Sequence, residues 1–254
     1  MGIGMVVETG QDRYATGESN VDFDWRLVPE SRPLSISEQI AERISQAILL
    51  GEFQPGQRIP EQSIADMYQV SRGPVREALR LLEREGVVEI LPRRGAQVTS
   101  LTVKEVTDIF NIRAGLIGLS MRLAVGNMRP DQLDQIKSWV SQLGKLSTDP
   151  DAAEKYVSIS FRLSLYLSRA SDNERLYELV RSFSRQTLRY SWLGLATPAR
   201  RQRSAKIWRT MLRAIQTGDR DAAEKASRTL VEESCEAAIS QLKAAPTSHE
   251  DAAV

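Results

Sequence analysis

A chain of 254 residues, 41% of them hydrophobic, can bury a core in each of two modest domains or in one large one. Charge interrupts every apolar run before the roughly 20 residues that a bilayer crossing needs, so no membrane span is expected. The formal net charge is +1, with 34 Lys and Arg against 33 Asp and Glu, so any affinity for phosphate backbones has to be local.

Residues 1–32 mix Gly, Thr, Asp, Glu and Asn without a sustained period and are expected to form a flexible arm. The opening MGIGMVVETG lacks the basic start and apolar core of a secretion signal, and a cytoplasmic location is expected. Order is expected from Pro33. Ile40, Ile44, Ala47 and Ile48 recur at helical spacing up to Gly51, which predicts an amphipathic helix. Pro55 and Gly56 signal a turn, and Arg58 and Ile59 can supply a short strand. Residues 61–68 read as a short helix, and a four-residue connection leads to another on which Val75, Ala78, Leu79 and Leu82 share one face. Ser71 is placed to cap that helix. After Gly86, VVEIL and AQV read as strands around the turn PRRG. Helix, helix, turn, helix and hairpin over residues 33–100 predict a winged helix-turn-helix of three helices and a small β-hairpin.

Beyond Thr99 the pattern is helical, and an all-α bundle of about six helices is predicted over 101–243. Its helices fall near 102–127, 130–147, 151–170, 174–194, 199–217 and 219–243, and residues 244–254 form a polar tail. The stretch VSISFRLSLYL from Val157 to Leu167 alternates apolar and polar residues, which by period alone favours a strand. No other segment beyond residue 100 offers a partner edge, and helical flanks surround it, so a central, buried helix is predicted. The fold class is therefore mainly α, a winged domain followed by a helical bundle.

Arg72, Arg76 and Arg80 lie four apart on the helix that Ser71 opens, away from its apolar face. A helix fits the major groove, where arginine can clamp a guanine edge or hold a phosphate. Arg93 and Arg94 on the hairpin tip add a second basic point beside Gly95, which lets a backbone come close. Over residues 71–95 six arginines stand against four glutamates, a modest excess that an ordinary solvated helix face also shows. The order of elements together with the basic hairpin favours DNA.

SRGPVREALRLLEREGVVEILPRRGAQV resembles the DNA-binding domain of the GntR superfamily, and the resemblance covers about residues 35–100. It implies that Arg72 and Arg76 read bases and phosphates, with Ser71, Pro74 and Arg80 in the same motif and Arg93, Arg94 and Gly95 on the wing. Where many members carry an arginine on the preceding helix, this chain has Gln62. The helical region is similar to the ligand-sensing domain of the FadR branch, which implies a cavity and a homodimer gripping a pseudo-palindromic double-stranded operator. In many relatives an aspartate and three histidines hold a metal; the corresponding places here are Ser158, Arg162, Trp208 and Leu230. No metal or other cofactor is expected, and the one histidine, His249, lies in the tail.

Arg162 is the only charge between Tyr156 and Leu167 and is expected to face the bundle interior, where a guanidinium needs an anion. Two readings stay open. Arg162 holds the carboxylate or phosphate of a small acidic effector, with Tyr166, Arg113, Ser158 and Trp208 around it, or it pairs with a buried acid or reaches the surface. A ligand-independent regulator with a degenerate sensor and a winged helix used for protein contacts are alternatives. No nucleophile-base pair, phosphate loop or metal cluster supports an enzyme.

Overall fold

Ser35 Oγ accepts from the Glu38 amide at 3.2 Å while the Glu38 carboxylate accepts from the Ser35 amide at 2.8 Å. This reciprocal capping starts helix α1 (Ile36–Leu50), because both orphan donors of the first turn are satisfied. The structure is a computed structural model and describes residues 33–244; the expected arm and tail lie outside the described residues. Strand β1 (Arg58–Ile59), helices α2 (Glu61–Met67) and α3 (Arg72–Arg84), and strands β2 (Val88–Leu91) and β3 (Gly95–Val98) follow.

The strands form one antiparallel sheet in the order β1-β3-β2, with Ile59 opposite Ala96 and Val88 opposite Val98. Ala96 and Val98 alternate toward the core, as a half-buried strand requires. Ile44, Ile64, Val75, Ala78, Leu79 and Leu82 close the core of this domain; each fully buried Leu contributes about 1.5–3 kcal/mol. Ser71 occupies the N-cap position of α3, but its side chain makes no capping bond. Pro74, inside the first turn, costs no helical bond because its missing N–H would be an orphan there.

Seven helices build the second region: α4 (Val103–Ala124), α5 (Pro130–Leu146), α6 (Ala153–Arg169), α7 (Glu174–Gln186), α8 (Leu188–Gly194), α9 (Pro198–Thr217) and α10 (Arg220–Ala244). None of the described helices is long and apolar enough to cross a membrane. Helix α6 contains the alternating stretch and packs against α4, α5, α7 and α8. Its apolar residues are buried on several sides, and the intervening serines suit a helix interior: Ser168 Oγ donates to the Ser164 carbonyl at 2.9 Å. The single helix expected over 174–194 is two. Thr187 breaks it at φ −94°, ψ 1°, its hydroxyl donating to the Phe183 carbonyl at 2.8 Å, the side-chain competition that bends helices.

The two cores meet at a polar joint. Leu49 of α1 belongs to the bundle core rather than to that of its own domain. Arg185 Nη1 donates to both Glu85 carboxylate oxygens at 2.5 and 2.6 Å. Arg189 donates to Gln54 at 3.3 Å, and the Tyr190 hydroxyl accepts from the Leu101 amide at 3.3 Å.

Candidate nucleic-acid interface and effector cavity

Helix α3 buries Val75, Ala78, Leu79 and Leu82 and turns Ser71, Arg72, Arg76, Arg80 and Arg84 to solvent. Two of these arginines are oriented by α2. Arg72 Nε donates to Gln62 Oε1 at 2.5 Å, and Gln62 in turn donates to Asp66 at 2.6 Å. Arg76 Nε donates to Glu61 Oε2 at 2.9 Å. In both bonds the donor is Nε, and a guanidinium keeps four further N–H groups on its two terminal nitrogens for an incoming acceptor. Gln62 thus positions Arg72.

The idle Ser71 hydroxyl leaves the first amides of α3 facing solvent, the arrangement that favours phosphate at a helix N-terminus. On the wing, Pro92, Arg93, Arg94 and Gly95 are all exposed. The turn is closed by the Arg94 amide donating to the Leu91 carbonyl at 3.1 Å, with Arg93 at φ +63° and Gly95 at φ +77°. The Ile90 amide donates to Glu83 at 3.1 Å, fixing the wing to α3.

Inside the bundle a cavity is lined by residues of α4, α6, α8, α9 and α10. Arg113 of α4 reaches it while only 7% exposed. Its Nε donates to Ser184 Oγ and its Nη1 to Ser191 Oγ, both at 3.2 Å, and the guanidinium lies 5.7 Å from the Phe110 ring centre. No carboxylate pairs with it among the described residues. Burial alone pushes its pKa down to about 10, so it stays charged near neutrality, held by hydroxyl dipoles instead of an anion. Ser160, Ser164, Ser204, Ser227 and Ser234 line the same space among apolar side chains. Trp208 forms part of the wall and donates to Ser160 Oγ at 3.3 Å.

Of the five expected effector residues, Arg113 and Trp208 line this cavity, and Ser158, Arg162 and Tyr166 do not. The inward orientation expected of Arg162 is corrected by its contacts. Its guanidinium lies 5.8 Å from the Trp139 ring centre, and Tyr166 meets Trp139 edge-on at 5.2 Å, so the three form a half-buried cluster between α5 and α6. Cation–π stacking on an amphipathic surface satisfies the charge without taking it inside. The positions aligned with a metal set diverge likewise: Trp208 and Leu230 reach the cavity, Ser158 and Arg162 do not. A guanidinium with serine hydroxyls repels a cation and suits an anion, so these residues do not fit a metal.

Sequence reasoning missed Arg201, which is completely buried. It donates to the carbonyls of Leu195 at 3.1 Å, Ala196 at 2.8 Å, Asp149 at 2.5 Å and Pro150 at 3.3 Å. In the run PARRQR nothing in the pattern separates it from the half-buried Arg200 and the exposed Arg203.

Residues 36–98 match the model of the gntR family of bacterial regulatory proteins, and residues 108–233 match that of the FCD domain. YdhC of Bacillus subtilis (strain 168), an uncharacterised HTH-type transcriptional regulator, is 30% identical over 149 residues, which are 59% of this chain and 66% of that protein. The chain therefore spans just under two thirds of this relative's length. Among solved structures, McbR/YncC of E. coli superposes with a TM-score of 0.72 at 19% identity, over 83% of this chain and 100% of that one. A transcriptional regulator GntR from Rhodococcus sp. RHA1 superposes with a TM-score of 0.66 at 19% identity, over 84% and 100%. With an exposed, arginine-bearing helix in the first matched segment and a cavity-bearing bundle in the second, the chain belongs to the GntR family and carries an FCD domain.

Proposed function

We propose that the protein is a DNA-binding transcriptional regulator of the cytoplasm, a homodimer on a pseudo-palindromic double-stranded operator, controlled by a small organic anion in the bundle. The observation that carries the DNA reading is the open N-terminal end of α3, where Arg72 and Arg76 are solvent-exposed and oriented by Gln62 and Glu61. Groups so held lose little entropy on meeting a base edge or a phosphate. The anion reading rests on Arg113, a buried charge that donates to two serine hydroxyls and pairs with no carboxylate among the described residues. A carboxylate entering the cavity gives it the charge-assisted bonds it lacks, while the apolar walls take the ligand's carbon skeleton.

Support for the homodimer comes from α4. Ile112, Leu116, Leu119 and Leu123 follow one another at spacings of four, three and four, the period of a seam between helices. Ile112 is 49% and Leu119 45% exposed. Two-fold protein symmetry then matches a two-fold operator.

The test is selection of duplexes from a random-sequence pool, followed by affinity measurements across salt concentrations. An inverted repeat bound with a steep negative slope of log affinity against log salt is the expected result; recovery of no preferred sequence overturns the DNA reading. A thermal-shift series with acetate, benzoate, gluconate and octanoate checks the cavity, since a ligand that binds only the folded form raises Tm. Leu119→Glu is expected to give a monomer in light scattering.

A further inference from the structure

Thr187 joins α7 to α8, and the segment around it presents residues in two directions. Inward, Ser184 of α7 and Ser191 of α8 accept the two hydrogen bonds of Arg113 at 3.2 Å each. One guanidinium therefore ties the helices together across the break. Leu188, just after the break, lines the cavity.

Outward, the same segment holds the winged domain. Arg185 is paired with Glu85, the residue that caps the C-terminal end of α3. Gln186 lies so close to Gly86 that a β-carbon there would sit 2.9 Å from its Cδ, and Gly86 itself needs φ +70°, a conformation costly for other residues. The recognition helix thus has its DNA-facing arginines at one end and this contact at the other, about 20 Å away at 1.5 Å per residue.

The backbone remains hydrogen-bonded through the break: the Thr187 amide donates to the Phe183 carbonyl at 3.1 Å and the Ser191 amide to the Thr187 carbonyl at 2.8 Å. What is free to change is the angle between α7 and α8, and Arg113 is the side chain that spans it. Arg113 keeps three N–H groups outside these two bonds, and an anion that takes them in charge-assisted bonds pulls the guanidinium toward the cavity and away from the neutral serine hydroxyls.

We infer that the α7–α8 elbow transmits occupancy of the cavity to the recognition helix. Arg113 clasps the elbow when the cavity is empty, an anion draws its guanidinium off Ser184 and Ser191, and the Arg185–Glu85 pair with the Gln186–Gly86 contact carries the change to the end of α3. The regulatory meaning of this link rests on the effector reading given above; the link itself is mechanical and is measured without any ligand.

The experiment is a double-mutant cycle on affinity for the selected duplex, using Arg113→Met, Arg185→Met and the pair. Arg113→Met is expected to change affinity roughly two- to thirtyfold in the wild-type background and to have no effect once Arg185 is replaced. Additive effects overturn the inference, since sites that do not communicate add. Hydrogen exchange of the full chain gives a readout that needs no DNA. Arg113→Met is expected to speed exchange both at 183–191 and at 84–90, whereas a change confined to the bundle overturns the link. Should Arg113→Met fail to fold, Ser191→Ala removes one side of the clasp and is read in the same two ways. A carboxylate series that leaves wild-type Tm unmoved counts against the effector reading alone, because neither the cycle nor the exchange uses a ligand.

Discussion

Arginine serves the two regions of this molecule in opposite ways. In the winged domain Arg72 and Arg76 stay in water, each with one side-chain partner from α2. In the bundle Arg113 and Arg201 are 7% and 0% exposed, and neither is paired with a carboxylate among the described residues. The difference lies in what compensates the charge: solvent in the first case, dipoles in the second. Arg201 has its dipoles from four backbone carbonyls, taken by its two terminal nitrogens while Nε stays unpaired. Arg113 has two hydroxyls and an open cavity beside it.

The largest effect expected from breaking this contrast is at Arg201. Arg201 straps the turn between α5 and α6, through Asp149 and Pro150, to the turn between α8 and α9, through Leu195 and Ala196. Arg201→Met takes the guanidinium from these four carbonyls at two part-buried turns, a cost of about 3 kcal/mol. Calorimetry is expected to show Tm falling on the order of 10 °C; a fall of only a degree or two would mean that water replaces the guanidinium.

The exposed arginines invert the pattern, with large effects on binding and small ones on stability. Arg76→Ala is expected to weaken operator affinity by about 1–3 kcal/mol, roughly ten- to a hundredfold in Kd. The Arg76–Glu61 pair, with the arginine side chain 59% exposed, contributes about 0–1 kcal/mol to folding, so Tm should hardly move. If the loss in affinity is uniform across sequences and the salt slope drops by about one, Arg76 holds a phosphate; if it relaxes preference at one base pair, Arg76 reads that base.

The winged domain was readable in the sequence because its signals are local. Periodicity located α3, the turn PRRG located the hairpin, and the stripe Arg72, Arg76, Arg80 lay off the apolar face. Only the capping bond of Ser71 failed to form. The cavity was less readable because it is made by contacts between residues far apart in the chain. Arg162 stood out as a lone charge in an apolar run, yet Trp139 of the neighbouring helix draws it aside. Arg113 was expected only as a neighbour of Arg162, and the serines that hold it, Ser184 and Ser191, lie 71 and 78 residues away. The break at Thr187 was hidden too, since a single threonine within an amphipathic pattern carries no stop signal of the kind that Gly or Pro gives.

Arg113 yields a smaller change in stability, with a sign opposite to that at Arg201. Its burial without a counter-charge means that Arg113→Met is expected to be neutral or stabilising in the ligand-free protein, by about 1 kcal/mol, while abolishing any carboxylate-induced rise in Tm. The pH dependence follows from the pKa of about 10, depressed by burial from the ordinary guanidinium value. Below about pH 10 the guanidinium is charged in both folded and unfolded chains, and the cost of burying it is fully present. As pH climbs above about 10 toward the ordinary guanidinium range the folded form sheds its proton first, and the cost recedes. The gap in stability between wild type and Arg113→Met should therefore be constant through neutrality and narrow in alkali, as denaturant melts at stepped pH would show.

The smallest effect is expected at Arg162, and it separates the two bundle arginines most sharply. Arg162 lies over Trp139 at 5.8 Å, with Tyr166 against the same ring, on a half-buried face where water still screens the charge. A cation–π contact of this kind contributes about 0.5–1 kcal/mol, and methionine keeps most of the aliphatic packing. Arg162→Met should thus lower Tm by no more than a few degrees and leave both operator affinity and any carboxylate response as in the wild type. Loss of the carboxylate response in this variant, with Arg113 intact, would mean that the anion binds between α5 and α6 and that the serine-lined cavity is packing space.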